Sequence, residues 1–225
     1  MSGRDNPLWL QFWRDRRNDF HQNKVNTLLT RFWPAFDSAP GSRVFVPLCG
    51  KSLDMLWLAN QGYEVIGVEL SPIAVKAFFR ENRLKPERRR IGKFIVWKYE
   101  RITILCGDYF ALTKIDLGQV DLIYDRAALT ALPEDIRSLY VAQLRLIVPE
   151  QVKVFLLTAE DHEEVISFAD VSSIAAEIAV LYANDFEIEL AYSESILESD
   201  PTEPDRVAEL TDYKLYRLTG RTVAA

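Results

Sequence analysis

The sequence is poor in the residues that build disulfide frameworks and metal centres. Its 225 residues include two cysteines, Cys49 and Cys106, and two histidines, His21 and His162. Two cysteines cannot form the multi-bridge framework of a small secreted domain, which favours a reducing cytoplasm. The histidines show no metal-ligand spacing with each other or with the cysteines, so we expect no metal site.

Long apolar runs and an excess of positive charge are missing as well. No apolar stretch approaches the roughly 20 residues of a membrane-spanning helix, and residues 1–13 lack the pattern of a signal peptide. The net charge is −6, and an acidic surface repels phosphate backbones and anionic lipids. We therefore expect neither nucleic acid nor a membrane as a partner. The one basic run, KPERRR at residues 85–90, is interpreted as a solvated turn.

Short β-branched runs alternate with helical stretches along the chain, which predicts an α/β fold with a doubly wound, mostly parallel sheet. Strands are predicted at residues 43–48, 64–68, 121–124 and 153–158, with two more inside residues 94–105. A last pair, at residues 186–191 and 213–218, is predicted to form an antiparallel hairpin. Helices are predicted in the N-terminal region to about residue 34 and at residues 53–61, 72–82 and 133–147.

The first strand leads into a glycine-lysine-serine turn, VFVPLCGKSLD at residues 44–54. A phosphate loop has a further glycine five residues before the one that precedes lysine. That position is Phe45, inside the predicted strand, so a nucleoside triphosphatase is disfavoured. In doubly wound folds the same kind of turn carries the adenosine part of a cofactor.

Glu69 ends the second predicted strand, 19 residues after Gly50. An acid at this place accepts hydrogen bonds from ribose hydroxyls in doubly wound folds, although a simple helix-capping role has the same spacing. The turn has one glycine where a dinucleotide site has three. An adenosine cofactor without phosphates, S-adenosylmethionine, is therefore predicted.

Polar residues follow two further strands. Asp108 and neighbouring aromatic residues suit an adenine ring, although an Asx turn at Asp108 is the alternative. Asp125 and Arg126 end the next strand and are expected at the mouth of the ligand site, with a surface ion pair as the alternative.

The segments FVPLCGKSLDMLWLANQGYEVIGVELS, ILCGDYFAL and YDRAALTALP resemble the bacterial thiopurine S-methyltransferase family. WLQFWRDRRNDFHQNKVNTLL resembles the N-terminal lid of that family. The likeness is dense from about residue 8 to residue 140. The C-terminal third departs from the family pattern, since it lacks the usual Gly-Pro-Pro-Phe stretch and the basic run before the last strand.

The resemblance implies a role for each matching residue. Positions that bind S-adenosylmethionine fall on Trp9, Trp13, Phe20, Leu48, Cys49, Gly50, Glu69, Leu70, Asp108, Tyr109 and Arg126. Arg126, with Asp125 beside it, is also expected to orient the acceptor. The chain is expected to be one domain, residues 1–225, with the lid in 1–34, the cofactor-binding core in 43–158 and the acceptor side with the terminal hairpin in 159–225.

The resemblance also implies the reaction, transfer of a methyl group to the sulfur of a thiopurine or another heterocyclic or aromatic thiol. Two alternatives stay open: a methyltransferase for selenium or tellurium oxyanions, and a non-catalytic protein that binds S-adenosylmethionine. A small-molecule acceptor, a monomer and a cytoplasmic location are expected.

Overall fold

The computed structural model describes residues 6–15, 21–161, 173–198 and 209–221. The chain forms two compact units. The first consists of Met1–Tyr124 and Gln143–Pro149, and the second consists of Asp125–Ala142 and Glu150–Ala225. None of the helices in the described ranges has both the length and the apolar character needed to cross a bilayer.

The first unit contains the elements that surround the predicted cofactor turn. Its helices are α1 (Asn6–Arg14), α2 (Thr27–Phe32), α3 (Asp54–Asn60), α4 (Pro72–Glu81) and α5 (Lys114–Leu117). Its strands are β1 (Arg43–Val46), β2 (Glu64–Glu69), β3 (Glu87–Ile91), β4 (Phe94–Tyr99), β5 (Ile102–Cys106) and the beginning of β6 (Leu122–Arg126).

The strands of this unit lie in the order β3-β4-β5-β2-β1-β6. The central pairs β1–β2, β1–β6 and β2–β5 are parallel, and β3–β4 and β4–β5 are antiparallel. The carboxyl ends of the parallel strands therefore meet at one edge of the sheet, which is where open α/β sheets bind ligands. The buried side chains of Val44 and Phe45 anchor β1 in the core.

Side-chain caps explain where two helices of this unit begin. The Asn26 side chain accepts a hydrogen bond from the Leu28 N–H at 3.0 Å at the start of α2. Ser71 does the same for the Ala74 N–H at 3.4 Å at the start of α4, where proline follows as the first helical residue. Both caps satisfy N–H groups that have no partner inside the helix.

The second unit holds the antiparallel strands. It contains α6 (Ala128–Ala131), most of α7 (Glu134–Ile147), β7 (Lys153–Asp161), α8 (Ile174–Tyr182), β8 (Phe186–Glu198) and β9 (Glu209–Gly220). Strand β9 pairs antiparallel with β7 on one side and with β8 on the other. The predicted terminal hairpin is confirmed, and its strands are longer than expected.

Most predicted elements are present, and the α/β fold with antiparallel C-terminal strands is confirmed. The interpretation of KPERRR as a turn is wrong, because Glu87–Ile91 forms β3. Gly92 has a φ of 54° and joins β3 to β4 with one further residue, so that Ile91 lies opposite Phe94. A glycine in this position of a two-residue hairpin loop lets the charged run pair with its neighbour.

Candidate active site

The turn after β1 has an unusual backbone. Leu48 has a φ of 45° and Gly50 a φ of 53°, and the Cys49 N–H donates to the Val68 carbonyl at 2.9 Å. Glycine adopts this left-handed region freely, whereas leucine does so at a cost of about 1–2 kcal/mol. Strain of this kind is concentrated at ligand-binding sites, and Leu48 and Gly50 are both partly exposed.

Glu69, at the end of β2, holds this turn together. Its Oε2 accepts a hydrogen bond from the Gly50 N–H at 2.9 Å, and its Oε1 accepts one from the Ser71 N–H at 2.6 Å. Burial raises the pKa of Glu69 to about 7, although these backbone N–H groups oppose the shift. The Leu70 N–H opposes the shift as well, and the lone pairs of a carboxylate leave Glu69 with the capacity to accept a hydrogen bond from a ligand hydroxyl group.

Cys49 lies inside the turn, where it needs the space that Gly67 leaves. A Cβ on Gly67 would lie 2.7 Å from the Cys49 Sγ and 3.2 Å from the Met55 Sδ. Burial, helped by the charge of Glu69, raises the pKa of Cys49 and also raises the pKa of Cys106 to about 11. Both thiols are free and buried, and a raised pKa keeps them protonated near neutral pH. The isolated glycine within β2 is the sequence signal for this close approach.

The lysine and serine of the Gly-Lys-Ser turn serve the fold. Lys51 forms an ion pair with Glu81 of α4 at 2.9 Å. The Ser52 hydroxyl donates to the buried Asp54 carboxylate at 3.0 Å. In a phosphate loop these two side chains would bind the phosphates and a magnesium ion. Their contacts here are with protein side chains and give no support to a triphosphatase.

Helix α1 covers the turn from the N-terminal side. A Cβ built on Gly50 would lie 3.5 Å from the Trp13 ring, which is buried. The Asn6 amide donates to the Asp108 carboxylate at 3.3 Å. Trp9 packs edge-to-face against Phe12. Trp13 and Gly50 thus lie close together, whereas Phe20 lies outside the described residues.

The end of β5 brings Asp108 to the same edge of the sheet as Glu69. The Gly107 N–H donates to the Glu69 carbonyl at 2.9 Å, and the Asp108 carboxylate accepts from the Phe110 N–H at 3.0 Å. The Asx turn weighed as the alternative is therefore present, and it leaves the other Asp108 oxygen for the Asn6 amide. Tyr109 is buried, and Leu70, beside Glu69, is partly exposed.

In the second unit, Asp125 and Arg126 form the end of β6. Asp125 is fully buried, and its carboxylate accepts from the Tyr140 hydroxyl at 2.6 Å and from the Ala128 N–H at 3.1 Å. Burial raises the pKa of Asp125 to about 6. Ala127 has a φ of 61°, so a left-handed residue follows Arg126 directly. Asp125 anchors the turn that carries the partly exposed Arg126. Direct contact between Arg126 and an acceptor stays a prediction.

A second buried carboxylate of this unit carried no signal in the sequence. Glu160 in β7 accepts from the Thr158 hydroxyl at 2.6 Å, from the Lys214 ammonium at 2.6 Å and from the Tyr216 hydroxyl at 3.2 Å. Lys214 and Tyr216 belong to β9, more than 50 positions away. We refer to Thr158, Glu160, Lys214 and Tyr216 as the Glu160 cluster.

Sequence reasoning also missed two residues that organise the cofactor turn. Asp54 is buried at the start of α3, and its carboxylate accepts from the Tyr124 hydroxyl and the Asn26 N–H, both at 2.8 Å. A serine two residues before an acid at a helix start is the signal that could have pointed to Asp54. Asn6 carried no signal, because its partner Asp108 is 102 positions away.

The chemistry of the turn fits an adenosine cofactor. Gly50 leaves room beside a backbone bend, and Glu69 and Asp108 supply carboxylate acceptors at the ends of neighbouring strands. These are the groups that bind ribose hydroxyls and an adenine amino group. Within the described ranges no group of three or more His, Cys, Asp or Glu side chains could hold a metal ion.

Comparison with known proteins identifies close relatives along the whole chain. Residues 4–221 match the family described as Thiopurine S-methyltransferase (TPMT). The chain is 60% identical over 227 residues to the "Thiopurine S-methyltransferase" of Stutzerimonas stutzeri, which covers 100% of this chain and 95% of that protein. It is 42% identical over 215 residues to the protein of the same name from Nitrosospira multiformis, with 95% and 97% covered.

Solved structures share the fold at low identity. A SAM-dependent methyltransferase from Anabaena variabilis has a TM-score of 0.63 at 15% identity, over 96% of this chain and 95% of that one. Magnesium protoporphyrin IX methyltransferase from Synechocystis, solved with bound SAM, has a TM-score of 0.61 at 16% identity, over 97% of both chains. These likenesses establish the α/β methyltransferase fold. Together with the full-length match to its relatives, they lead to the conclusion that the chain belongs to the thiopurine S-methyltransferase family of S-adenosylmethionine-dependent methyltransferases.

Proposed function

We propose that this enzyme methylates the sulfur of thiopurines or related heterocyclic thiols. The observation that carries the proposal is the 60% identity, over the entire chain, to a protein named thiopurine S-methyltransferase. That alignment includes the C-terminal third, in which the chain departs from the pattern of the resembled family. A shared acceptor is therefore the simplest reading of this part of the chain.

The first unit supplies the residues that hold the cofactor. Glu69 accepts hydrogen bonds from the ribose hydroxyls, and Asp108 accepts one from the adenine amino group. Around them we assign Trp9, Trp13, Leu48, Cys49, Gly50, Leu70 and Tyr109 to the lining of the site, with Phe20 predicted by resemblance alone. Cys49 and Tyr109 are buried and support the lining from below, while the Trp13 indole can face the cationic sulfur by cation–π attraction.

When bound, S-adenosylmethionine supplies a methyl group on a positively charged sulfur, which a soft nucleophile takes up by displacement. A heterocyclic thiol ionises near neutral pH, so the protein does not need a strong general base. Its contribution is then alignment of the two reactants and exclusion of water. Arg126 orients the anionic acceptor, and Asp125 is a positioning residue that fixes the turn of Arg126 through Tyr140 and Ala128.

The direct test incubates the purified protein with methyl-labelled S-adenosylmethionine and 6-mercaptopurine. We expect labelled methylthiopurine, and none when the acceptor or the protein is omitted. A protein that binds S-adenosylhomocysteine but forms no product would contradict the thiopurine acceptor. Parallel reactions with selenite and tellurite would then show whether a metalloid takes its place.

The role of Arg126 has its own test. We expect Arg126→Ala to lower kcat/KM for 6-mercaptopurine by about tenfold or more, because a charge-assisted hydrogen bond to the acceptor is lost. Arg126→Lys keeps the charge without the planar fork and should lose less. Calorimetry with S-adenosylhomocysteine should show an unchanged Kd. An equal loss in both measurements would make Arg126 a cofactor ligand instead.

Three further expectations belong to this proposal. The monomer and the cytoplasmic location stay predictions, as does the single domain with a separate acceptor side in residues 159–225. Sedimentation of the purified enzyme with and without S-adenosylhomocysteine measures the first of these directly.

A further inference from the structure

Positive charge is concentrated in one segment of this acidic protein. Residues 83–101 contain eight Lys or Arg residues against two Asp or Glu residues, whereas the chain as a whole has a net charge of −6. Such a segment is a local exception to the repulsion that the rest of the surface exerts on anions. The proposed function assigns no role to these side chains.

The structure places the centre of this segment at an edge of the sheet of the first unit. Arg88, Arg89 and Arg90 lie in β3, and all five residues of β3 are exposed. Strand β3 pairs with β4, and in the described part of the chain no strand lies on its other side. An edge strand presents unpaired backbone N–H and C=O groups, which are a template for another strand.

The three arginines project from both faces of this edge. The register places Arg88 opposite Trp97 and Arg90 opposite Ile95, so these two arginines share one face, and Arg89 lies on the other. Arg88 lies 5.1 Å from the centre of the Trp97 ring, and this cation–π contact orders its side chain. Alternate residues of a strand are roughly 7 Å apart, the same spacing as alternate residues of any strand paired beside it.

Arginines on an edge strand ordinarily prevent sheet extension, since like charges opposite each other repel. A second copy of β3 is disfavoured for this reason. An acidic strand reverses the sign, because opposite charges across a strand pair stabilise it. A nucleic acid backbone would satisfy the arginines but would leave the open backbone edge unused, so the acidic strand accounts for more of the observed features.

We propose that β3 is a docking site for an extended acidic segment of a partner protein. The segment adds a strand to the edge of the sheet, and its Asp or Glu side chains lie opposite Arg88, Arg89 and Arg90. Backbone hydrogen bonds supply much of the affinity in this mode of recognition, and the side-chain pairs supply the specificity.

The test uses the full-length enzyme and a fluorescent peptide with three consecutive glutamates, TVEEEVT, measured by anisotropy. We expect the triple variant Arg88→Gln, Arg89→Gln, Arg90→Gln to bind the peptide at least about tenfold more weakly. The matched control, Lys76→Gln, Arg80→Gln, Lys114→Gln, removes three exposed positive charges elsewhere and should change binding by less than about twofold. Both variants should keep the methyltransferase activity of the parent.

Two further probes separate strand addition from attraction of charge. Two peptides keep the three glutamates but are N-methylated at alternate residues, one peptide at odd positions and the other at even positions. Each peptide therefore has one of its two backbone edges blocked. We expect one of these peptides to lose binding and the other to keep it. Equal binding of both methylated peptides, or equal losses in the two triple variants, would overturn the proposal. So would tighter binding of a single strand of about twelve thymidines than of the peptide, since this points to a nucleic acid partner.

Discussion

Glu69 and Glu160 are both buried glutamates in strands, but the two units satisfy them in different ways. Backbone N–H groups of Gly50 and Ser71 hold Glu69. Side chains of Thr158, Lys214 and Tyr216 hold Glu160, with a cation among them. Glu160 has three side-chain partners, and one of them is a cation that pairs its charge within the fold. For Glu69 we propose a ligand hydroxyl group as a further partner.

The comparison sets a proposed binding acid beside a structural one. Raising the pKa of Glu69 from 4.5 to about 7 means that its ionisation costs roughly 3 kcal/mol more in the folded protein than in water. Perturbed carboxyl groups of this kind concentrate at functional sites. A ligand that favours the ionised form recovers part of this cost when it binds.

Breaking the Glu160 cluster should have the largest effect on stability. Lys214→Met leaves the Glu160 carboxylate buried without its cation, and we expect a loss of about 3 kcal/mol in the free energy of unfolding. Urea denaturation measures this loss of stability. The affinity for S-adenosylhomocysteine should not change.

A double variant separates the lost ion pair from a general loss of packing. Glu160→Gln together with Lys214→Met removes both charges, so it should recover about half of the stability lost in Lys214→Met. A loss below about 1 kcal/mol in Lys214→Met alone would show that the cluster is not structural.

The corresponding change in the first unit should affect binding more than stability. Glu69→Gln removes the charged acceptor that we propose for the ribose hydroxyls, and we expect S-adenosylhomocysteine to bind about thirtyfold more weakly. The stability should change by less than about 1 kcal/mol, since loss of a buried charge offsets the poorer hydrogen bond to Gly50 or Ser71. Glu81→Gln is the matched control at an exposed acid. Unchanged affinity in Glu69→Gln would remove Glu69 from the site.

The pKa of Glu69 also predicts how cofactor binding depends on pH. Below pH 7 Glu69 of the free enzyme is mostly protonated, and a neutral carboxyl group is a weaker acceptor for a ligand hydroxyl group. We expect S-adenosylhomocysteine to bind about tenfold more weakly at pH 6 than at pH 8, measured by calorimetry, and Glu69→Gln to flatten this dependence. The folded pKa is raised, so this group makes the free enzyme less stable as pH rises from 4.5 to about 7, the opposite of the trend in affinity.

The smallest effect is expected at Lys51, in the Gly-Lys-Ser turn that resembles part of a phosphate loop. Lys51→Ala removes an ion pair whose Glu81 partner is 42% exposed, so we expect a stability loss below about 1 kcal/mol and unchanged binding of S-adenosylhomocysteine. ATP should bind neither form of the protein. Binding of ATP by the parent protein that is weakened in Lys51→Ala would instead support the phosphate-loop interpretation.

The proximity of the Gly50 turn to Glu69 could be predicted because its signals are local in the sequence. The turn at Gly50 and the acid at the end of β2 lie 19 residues apart, within one strand-turn-helix-strand unit of fixed geometry. The Glu160 cluster could not be predicted, since Lys214 reaches Glu160 only through the pairing of β9 with β7. The same applies to Asn6 and Asp108.

The error over β3 has a similar cause. A run of arginines has neither the alternation nor the β-branched residues that indicate a strand, and a partner strand decides its conformation. The register of β3 with β4, beginning at Ile91 opposite Phe94, supplies backbone hydrogen bonds that outweigh the weak local preference.

By itself the sequence determined most of the strands and helices, the glycine turn after β1 and the family, because periodicity, caps and glycine positions act over a few residues. The tertiary structure decided which groups hydrogen-bond to each buried acid. It also decided that the arginines of β3 form an open edge. Hydrogen bonding and burial between distant segments determine these properties, and no single segment of the chain carries that information.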